Sequence, residues 1–169
     1  MAAVDPPRPL EPSDDRDHFD CGRDSLNMWF RRHRSTITLA VFRALAFLVD
    51  SSDGRIAGFV SLSAAQVERG FLPKPQQRNR PDPIPATLLG QLAVDKAYQA
   101  QGHAASLLIF ALKTALRASD AIGSIGVITH PLDDTVRALY RKWGFEDLPF
   151  DPGHAMMVRM DDLRRAFGA

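Results

Sequence analysis

The segment that most constrains the fold is TLLGQLAVDKAYQAQGHAASLLIFALKTALR, residues 87–117, where a strand, a glycine loop and a helix follow each other directly. The run from Thr87 to Asp95 is apolar without regular alternation, which predicts a central strand buried on both faces. Apolar residues then recur at helical spacing, which predicts a helix from about Gly102 to Arg117. The glycine loop between them therefore lies at the N-terminus of a helix.

The other segments predict a mixed sheet flanked by helices. Asp-Gly in SSDGR indicates the turn of a β-hairpin between two apolar runs, residues 41–50 and 55–68. The proline-rich residues 69–86 predict an exposed connection. The remaining predicted elements are a helix at about 24–34, a buried strand within 123–130, a helix within 132–145 ended by Gly144, and a terminal hairpin from 146–150 and 155–160.

Composition limits the domain organisation and the compartment. The 169 residues suit one domain, predicted at 16–169, behind a flexible tail of proline and aspartate at 1–15, in which a short strand near residues 8–10 is left open. The single cysteine allows no internal disulfide, and no apolar run reaches the ~18 residues of a membrane span. No signal-peptide pattern is seen at the N-terminus, so we expect a cytoplasmic protein without membrane contact. The net charge of +1 means that nucleic-acid binding would need local basic patches.

The loop at 99–102 has the features of a backbone cradle for an anion. A helix N-terminus presents unpaired N–H groups and about half a positive charge. Gly102 allows close approach of a ligand, and the small residues Ala104 and Ala105 keep the first turn open. A triphosphate P-loop and a dinucleotide fingerprint are excluded, because the Gly-Lys-Ser/Thr ending and the further glycines are missing. A plain strand–helix turn remains the alternative at this point.

Four segments, taken in order, resemble the GNAT acetyltransferase superfamily. Gln99-x-x-Gly102-x-Ala104 resembles its Arg/Gln-x-x-Gly-x-Gly/Ala signature, LAVD (92–95) resembles its splayed central strand, and VRALYRKWGF (136–145) resembles its Tyr-x-x-x-Gly-Phe helix. FDCGRDSLNMWF (19–30) resembles the entry segment of the TacT-type toxins, acetyltransferases encoded beside a ribbon-helix-helix antitoxin. Asn27 stands where this subfamily usually has Asp, and Gln91 where it usually has Arg; both differences concern partner contacts more than the acetyl-CoA site.

The resemblance implies a fold, a co-substrate and partners. The expected fold is α/β of the α+β kind: a mixed, mostly antiparallel sheet with a splayed central strand pair, flanked by helices. Acetyl-CoA is the expected co-substrate, aminoacyl-tRNA the expected substrate, and a ribbon-helix-helix antitoxin the expected partner; a homodimer is left open. The residues expected to hold acetyl-CoA are Leu92, Ala93, Val94, Gln99, Ala100, Gln101, Gly102, His103, Ala104 and Ala105.

Tyr140 is the candidate general acid. A phenol near pKa ~10 can protonate a departing thiolate whose conjugate acid is near ~8.5, and Tyr140 stands at the family's tyrosine position. The alternative is a packed aromatic residue with its hydroxyl at the surface. Glu68, Asp95 and Asp133 could serve as a base by residue type, but no spacing singles one out. An acceptor α-amine, with pKa ~7.7–8.0 against ~10.4 for lysine, has less need of a base.

Arginines on three segments form a predicted phosphate-binding rim for tRNA, although ordinary solvated charge is the alternative for each cluster. They are Arg31, Arg32, Arg34, Arg78, Arg80, Arg137 and Arg141. The histidines lack metal-ligand spacing, so no metal is predicted. Two other functions stay open: acetylation of a small-molecule amine or a protein N-terminus, and a non-catalytic module that binds acyl-CoA or a partner.

Overall fold

A computed structural model of the chain describes residues 4–9, 11, 13–15, 17–33 and 44–168. The helices and strands in chain order are α1 Asp24–His33, β1 Ala44–Val49, β2 Ile56–Val67, α2 Lys74–Gln77, β3 Ile84–Val94, α3 His103–Ser119, β4 Gly126–Thr129, α4 Asp134–Lys142, β5 Glu146–Asp147, β6 Met156–Arg159 and α5 Met160–Phe167. The predicted end of the first helix at Arg34 and the first residues of the predicted hairpin, 41–43, lie outside the described residues.

The strands form a six-stranded sheet in the order β1-β2-β3-β4-β6-β5. β3 and β4 are parallel, with Thr87–Leu89 in register with Val127–Thr129, and β3 itself continues to Val94. The pairs β1–β2, β4–β6 and β5–β6 are antiparallel. The predicted mixed, mostly antiparallel sheet with helices is confirmed. None of the described helices is both long and apolar enough to cross a bilayer.

The described structure divides into two compact units, of which the first contains residues 1–63 and 90–111. Its core is aromatic: Phe30 and Phe59 lie with ring centroids 5.3 Å apart, and Trp29 stacks on Phe59 at 5.5 Å. Arg8 and Phe47 exchange backbone hydrogen bonds of 3.0 and 2.8 Å. The segment predicted as a flexible tail is therefore paired with β1 at Arg8, because β1 offers backbone groups to it there.

The second unit contains residues 64–89 and 112–169. Its core gathers residues from the strands and from the proline-rich segment, including Leu72, Ile84, Ile128 and Met157. Leu72 has 0% exposure, so the prediction of a wholly exposed connection at 69–86 is wrong. Leu72 lies between a 3-10 turn, Arg69–Phe71, and α2.

Two further predictions differ from the structure. β3 is only partly buried: Leu89 and Ala93 are buried, Leu92 and Val94 are half-buried and Gly90 is exposed. An apolar run shows that a strand can be buried, but not which of its side chains are covered. The predicted terminal strand pair is confirmed as β5 and β6, but the chain continues beyond it: β6 runs directly into α5, without a glycine or proline to mark the boundary.

Candidate active site

The loop between β3 and α3 has the backbone conformation of an anion-binding nest. Ala100 and Gly102 both have positive φ, +59° and +83°. Where residues in the left-handed conformation alternate with residues in the right-handed one, successive backbone N–H groups point to the same side of the chain. A Cβ at position 102 would meet no atom within 4 Å, so glycine is favoured there by its backbone conformation and not by lack of space. Ala100 adopts the same region at a cost, which is common at functional loops.

The first turn of α3 extends this cradle. The backbone N–H of Ser106 donates to the carbonyl of Gly102 at 3.1 Å. The N–H groups of His103, Ala104 and Ala105 precede it, in the first turn, where no intrahelical acceptor exists. Gly102 is exposed, and the three residues that follow are half-buried. The geometry can therefore present several N–H groups and the positive helix end to an anion.

Gln99 contributes to the position of the loop. Its side-chain Nε2 donates to the carbonyls of Cys21 and Val94, each at 2.9 Å. The loop is thereby joined both to the end of β3 and to the segment before α1. A contact between Gln99 and acetyl-CoA stays a prediction, as do those of Ala100 and Gln101, which are both exposed.

Tyr98, which lies just before the loop, is held in place by a hydrogen bond to Asp50. Its hydroxyl donates to the Asp50 carboxylate at 2.8 Å, and both residues are buried. Burial, followed by the hydrogen bond to Asp50, raises the pKa of Tyr98 to about 12. Asp50 is held in turn by the backbone N–H and the hydroxyl of Ser52, at 2.9 and 2.7 Å. The sequence patterns gave no indication of this network.

Asp95, named above as a base by residue type, has a structural role. It is 3% exposed, and its carboxylate accepts from the backbone N–H groups of Asp20 and Ala97, each at 2.9 Å. Asp133 caps α4, accepting from the N–H of Val136 at 2.9 Å. Both carboxylates satisfy backbone donors at helix starts.

The segment that resembles the toxin entry forms a tight turn before α1. Asn27 is 6% exposed; its Oδ1 accepts from the N–H of Cys21 at 3.0 Å and its Nδ2 donates to Asp20 at 2.8 Å. Asp20 also accepts from Gly22, and these hydrogen bonds, together with Lys96, lower its pKa to about 2. An aspartate at position 27 would face the carboxylate of Asp20, which gives a physical reason for asparagine in this chain.

β3 carries the predicted pantetheine-binding residues at its C-terminal end. Leu92 and Val94 are half-buried, and Ala93 is 5% exposed and packs in the aromatic core. A Cβ at Gly58 would lie 2.8 Å from the carbonyl of Ala93, so glycine permits the close approach of β2 to β3 at this point. The role of these residues in binding stays a prediction.

Tyr140 lies near the end of α4 and is 3% exposed. Its ring packs against Phe145 with centroids 5.1 Å apart. Burial raises the pKa of Tyr140. The residue is therefore protonated at neutral pH and can donate a proton. The role of Tyr140 as the general acid stays a prediction.

The predicted rim arginines differ in their surroundings. Arg137 and Arg141 both contact the Asp147 carboxylate, at 2.6 and 2.8 Å, and Arg137 also donates to the carbonyl of His154 at 2.9 Å. Arg80 donates from Nε to the carbonyl of Gln76 at 2.6 Å.

Arg31, Arg32 and Arg78 are exposed, and Arg34 is outside the described residues. A role of the rim in RNA binding stays a prediction. In the described ranges, no cluster of three or more His, Cys, Asp or Glu residues could hold a metal ion.

Known proteins resemble the chain over nearly its whole length. Residues 11–145 match the acetyltransferase (GNAT) family. A protein of Mycobacterium tuberculosis described as tRNA-acetylating toxin is 34% identical over 168 residues, 99% of each chain. The structure is similar to AtaT complexed with acetyl-methionyl-tRNAfMet, with TM-score 0.83, 26% identity and 99% of each chain covered. It is also similar to AtaTR bound with AcCoA, with TM-score 0.78, 26% identity and 98% and 97% covered.

Proposed function

The chain belongs to the acetyltransferase (GNAT) family and is an N-acetyltransferase, and we propose that it is a toxin that acetylates the α-amine of aminoacyl-tRNA and so blocks translation. The observation that carries this proposal is the full-length relationship to the tRNA-acetylating toxin. The likeness to AtaT with acetyl-methionyl-tRNAfMet supports the same substrate class. We further propose that residues 16–169 act as one acetyltransferase domain, because the family match runs through both compact units.

Acetyl-CoA is the co-substrate, supported by the relative bound with AcCoA, and it supplies an acetyl group activated as a thioester. The nest at Ala100 and Gly102 and the first turn of α3 fit a pyrophosphate, since they offer N–H groups without a bulky side chain. Leu92, Ala93 and Val94 would hold the pantetheine arm through the backbone. The N–H near Val94 would donate to the carbonyl oxygen that gains negative charge.

Tyr140 would give its Oη proton to the departing sulfur. The attacking amine loses one proton as it forms the amide, and this proton restores Tyr140, so the reaction needs no other co-reactant. A buried tyrosine with a raised pKa is protonated at neutral pH, so it has a proton to donate.

The environment of the carboxylates favours an α-amine as acceptor. Asp95 and Asp133 accept hydrogen bonds from backbone N–H groups, and Glu68 is exposed. At neutral pH, deprotonating an α-amine costs about 3–4 kcal/mol less than deprotonating lysine. A site that uses its carboxylates for structure is therefore better suited to an aminoacyl group than to a lysine side chain.

The proposed partners follow from this activity. The arginine rim would contact tRNA phosphates, and a ribbon-helix-helix antitoxin with an acidic, initially disordered segment would cover the rim or the acetyl-CoA site. The proposed compartment is the cytoplasm, where charged tRNA is found.

The test is acetyl transfer from labelled acetyl-CoA to a panel of aminoacyl-tRNAs by the parent and by Tyr140→Phe. We expect the parent to place one acetyl group on the amino acid of one or more of these tRNAs. Tyr140→Phe should bind acetyl-CoA normally and turn over ~10²–10⁴ times more slowly. Equal rates would exclude Tyr140 as the acid. Activity on peptides or small amines alone would exclude the tRNA assignment but leave the chemistry intact.

A further inference from the structure

Phe150, in the loop between β5 and β6, is an exposed aromatic side chain next to two segments that carry predicted rim arginines. It is 52% exposed. The other large apolar side chains that are exposed in the described ranges are Met28, Ile122 and Leu132, and none of these is aromatic. An exposed phenyl ring offers a flat apolar face, which a nucleobase can cover.

Hydrogen bonds within the loop hold this ring in place. The backbone N–H of Phe150 donates to the carbonyl of Phe71 at 3.3 Å. The carboxylate of Asp151 accepts from the backbone N–H groups of Gly153 and Ala155, at 2.8 and 2.9 Å. Because the loop is already ordered by these bonds, a ligand that covers the ring loses little affinity to ordering it.

The segment that binds the loop through Phe71 is strongly basic. Residues 69–80 include no acidic residue and four cations, Arg69, Lys74, Arg78 and Arg80. The Nζ of Lys74 lies 5.7 Å from the centroid of the Phe150 ring. An aromatic face next to such cations is suited to a nucleotide, because the ring can take the base while a cation takes a phosphate.

The same loop is joined to the helix that carries the proposed acid. Arg137 in α4 donates from Nη2 to the carbonyl of His154 at 2.9 Å. Arg137 lies three residues before Tyr140, which is about one helical turn. An open cleft of about 680 Å³ beside this contact is lined by Asp134, Arg137, Asp147, Leu148, Pro149 and His154. Its volume is within the roughly 300–1,000 Å³ of small-ligand sites.

We propose that Phe150 stacks on the terminal base of the charged tRNA, with Lys74 contacting a neighbouring phosphate. This inference rests on the proposed function, because it takes charged tRNA as the substrate. The 3′ end of tRNA is unpaired, so its bases are free to stack on an aromatic side chain. The terminal base is the one whose ribose carries the aminoacyl group, and the loop is attached to α4 one turn from Tyr140. Stacking accepts any base, so Phe150 would add affinity for every charged tRNA without selecting among them.

The first test measures acetylation of charged tRNA by Phe150→Leu and Phe150→Tyr. Leucine keeps an apolar side chain without a ring, and tyrosine keeps the ring. Phe150→Leu should raise KM for charged tRNA roughly five- to a hundredfold with little change in kcat, because stacking is the same in the ground state and the transition state. Phe150→Tyr should stay near the parent. Ile122→Ala removes another exposed apolar side chain, 74% exposed, and is the matched control, which should keep the KM of the parent.

A second test isolates the base. At saturating acetyl-CoA, the trinucleotide CCA, which ends tRNA, and the same trinucleotide with an abasic terminal residue are compared as inhibitors of acetyl transfer to charged tRNA. CCA should inhibit the parent at lower concentration than the abasic form. In Phe150→Leu this difference should disappear, because the ring is gone. Lys74→Met should weaken both trinucleotides alike and reduce the dependence of their inhibition on salt.

The outcomes separate this inference from the proposed function. If no charged tRNA is acetylated, the proposed function fails whatever the Phe150 variants do. If charged tRNA is acetylated and Phe150→Leu keeps the KM of the parent, only the stacking inference fails. It also fails if Phe150→Leu and Phe150→Tyr raise KM equally, or if CCA and its abasic form act alike on the parent, including no inhibition by either. Thermal unfolding of each variant shows that a change in KM does not come from loss of the fold.

Discussion

Gly102 allows a decisive test of the anion loop, because two substitutions of nearly equal shape differ there only in charge. Its φ of +83° makes any side chain unfavourable by about 1–2 kcal/mol, but a Cβ would meet no atom within 4 Å. Gly102→Glu and Gly102→Gln should therefore lose similar stability and unfold at similar temperatures. Any difference between their affinities for acetyl-CoA therefore measures the effect of the added negative charge.

The size of that difference follows from electrostatics. A carboxylate roughly 6 Å from a phosphate group is repelled by about 0.7 kcal/mol in water and about 3 kcal/mol at an effective dielectric constant near 20. The loop is exposed, so the lower value applies to each of the two charges of a pyrophosphate. The two charges together give about 1.4 kcal/mol, so Gly102→Glu should bind acetyl-CoA roughly tenfold more weakly than Gly102→Gln. High salt should reduce the gap, since exposed charges are screened.

Isothermal titration with acetyl-CoA at low and high salt measures the difference. Gly123→Glu is the matched control: Gly123 is exposed and has open space around it, and the substitution adds the same charge to the protein in a different segment of the chain. It should bind like the parent. If Gly102→Glu and Gly102→Gln bind equally at low salt, the loop does not hold the pyrophosphate and the assignment of the site is refuted.

Two further predictions concern the supports of the site. Tyr98→Phe removes the donor to buried Asp50 and should lower the free energy of unfolding by about 1–3 kcal/mol. Since the pKa of Tyr98 is raised from 10.0 to about 12, the parent should lose stability as pH rises across that interval and the variant should lose less. Denaturant unfolding against pH checks both, and equal slopes would contradict the assignment. Asp147→Asn releases Arg137 and Arg141 from their shared carboxylate. It should tighten charged-tRNA binding about two- to fivefold at low salt, as measured by fluorescence titration. Unchanged binding would show that neither arginine contacts tRNA.

The sequence predicted most of the fold because the main elements had clear boundaries. Asp-Gly marked the hairpin turn, and Gly144, with φ +93°, follows the end of α4 as predicted. The missed features lacked such marks. No turn residue separates β6 from α5, and the proline content of residues 69–86 gave no sign that Leu72 would be fully buried.

The candidate site was predictable where chemistry depends on residue type within one segment. Gly102 and the small alanines predicted the cradle, and Tyr140 was predicted as the acid because it stands at the tyrosine position of the family that the chain resembles. The pair Tyr98–Asp50 joins residues that are far apart in the chain. Its chemistry depends on a tertiary contact, so hydrophobic periodicity and local motifs cannot reveal it.

Residues in the motifs that resemble the family also hold the protein's own backbone in place, apart from any contact with a ligand. Gln99, the first residue of the loop signature, donates to two backbone carbonyls of the protein itself. Asn27 in the entry segment connects Cys21 to Asp20. Such residues hold the loop before α3 and the turn before α1 in shape, and the backbone of the loop would then offer its N–H groups to the co-substrate. A signature residue in this chain can therefore be required for binding without touching the ligand, and only a variant that keeps the fold can tell these two roles apart.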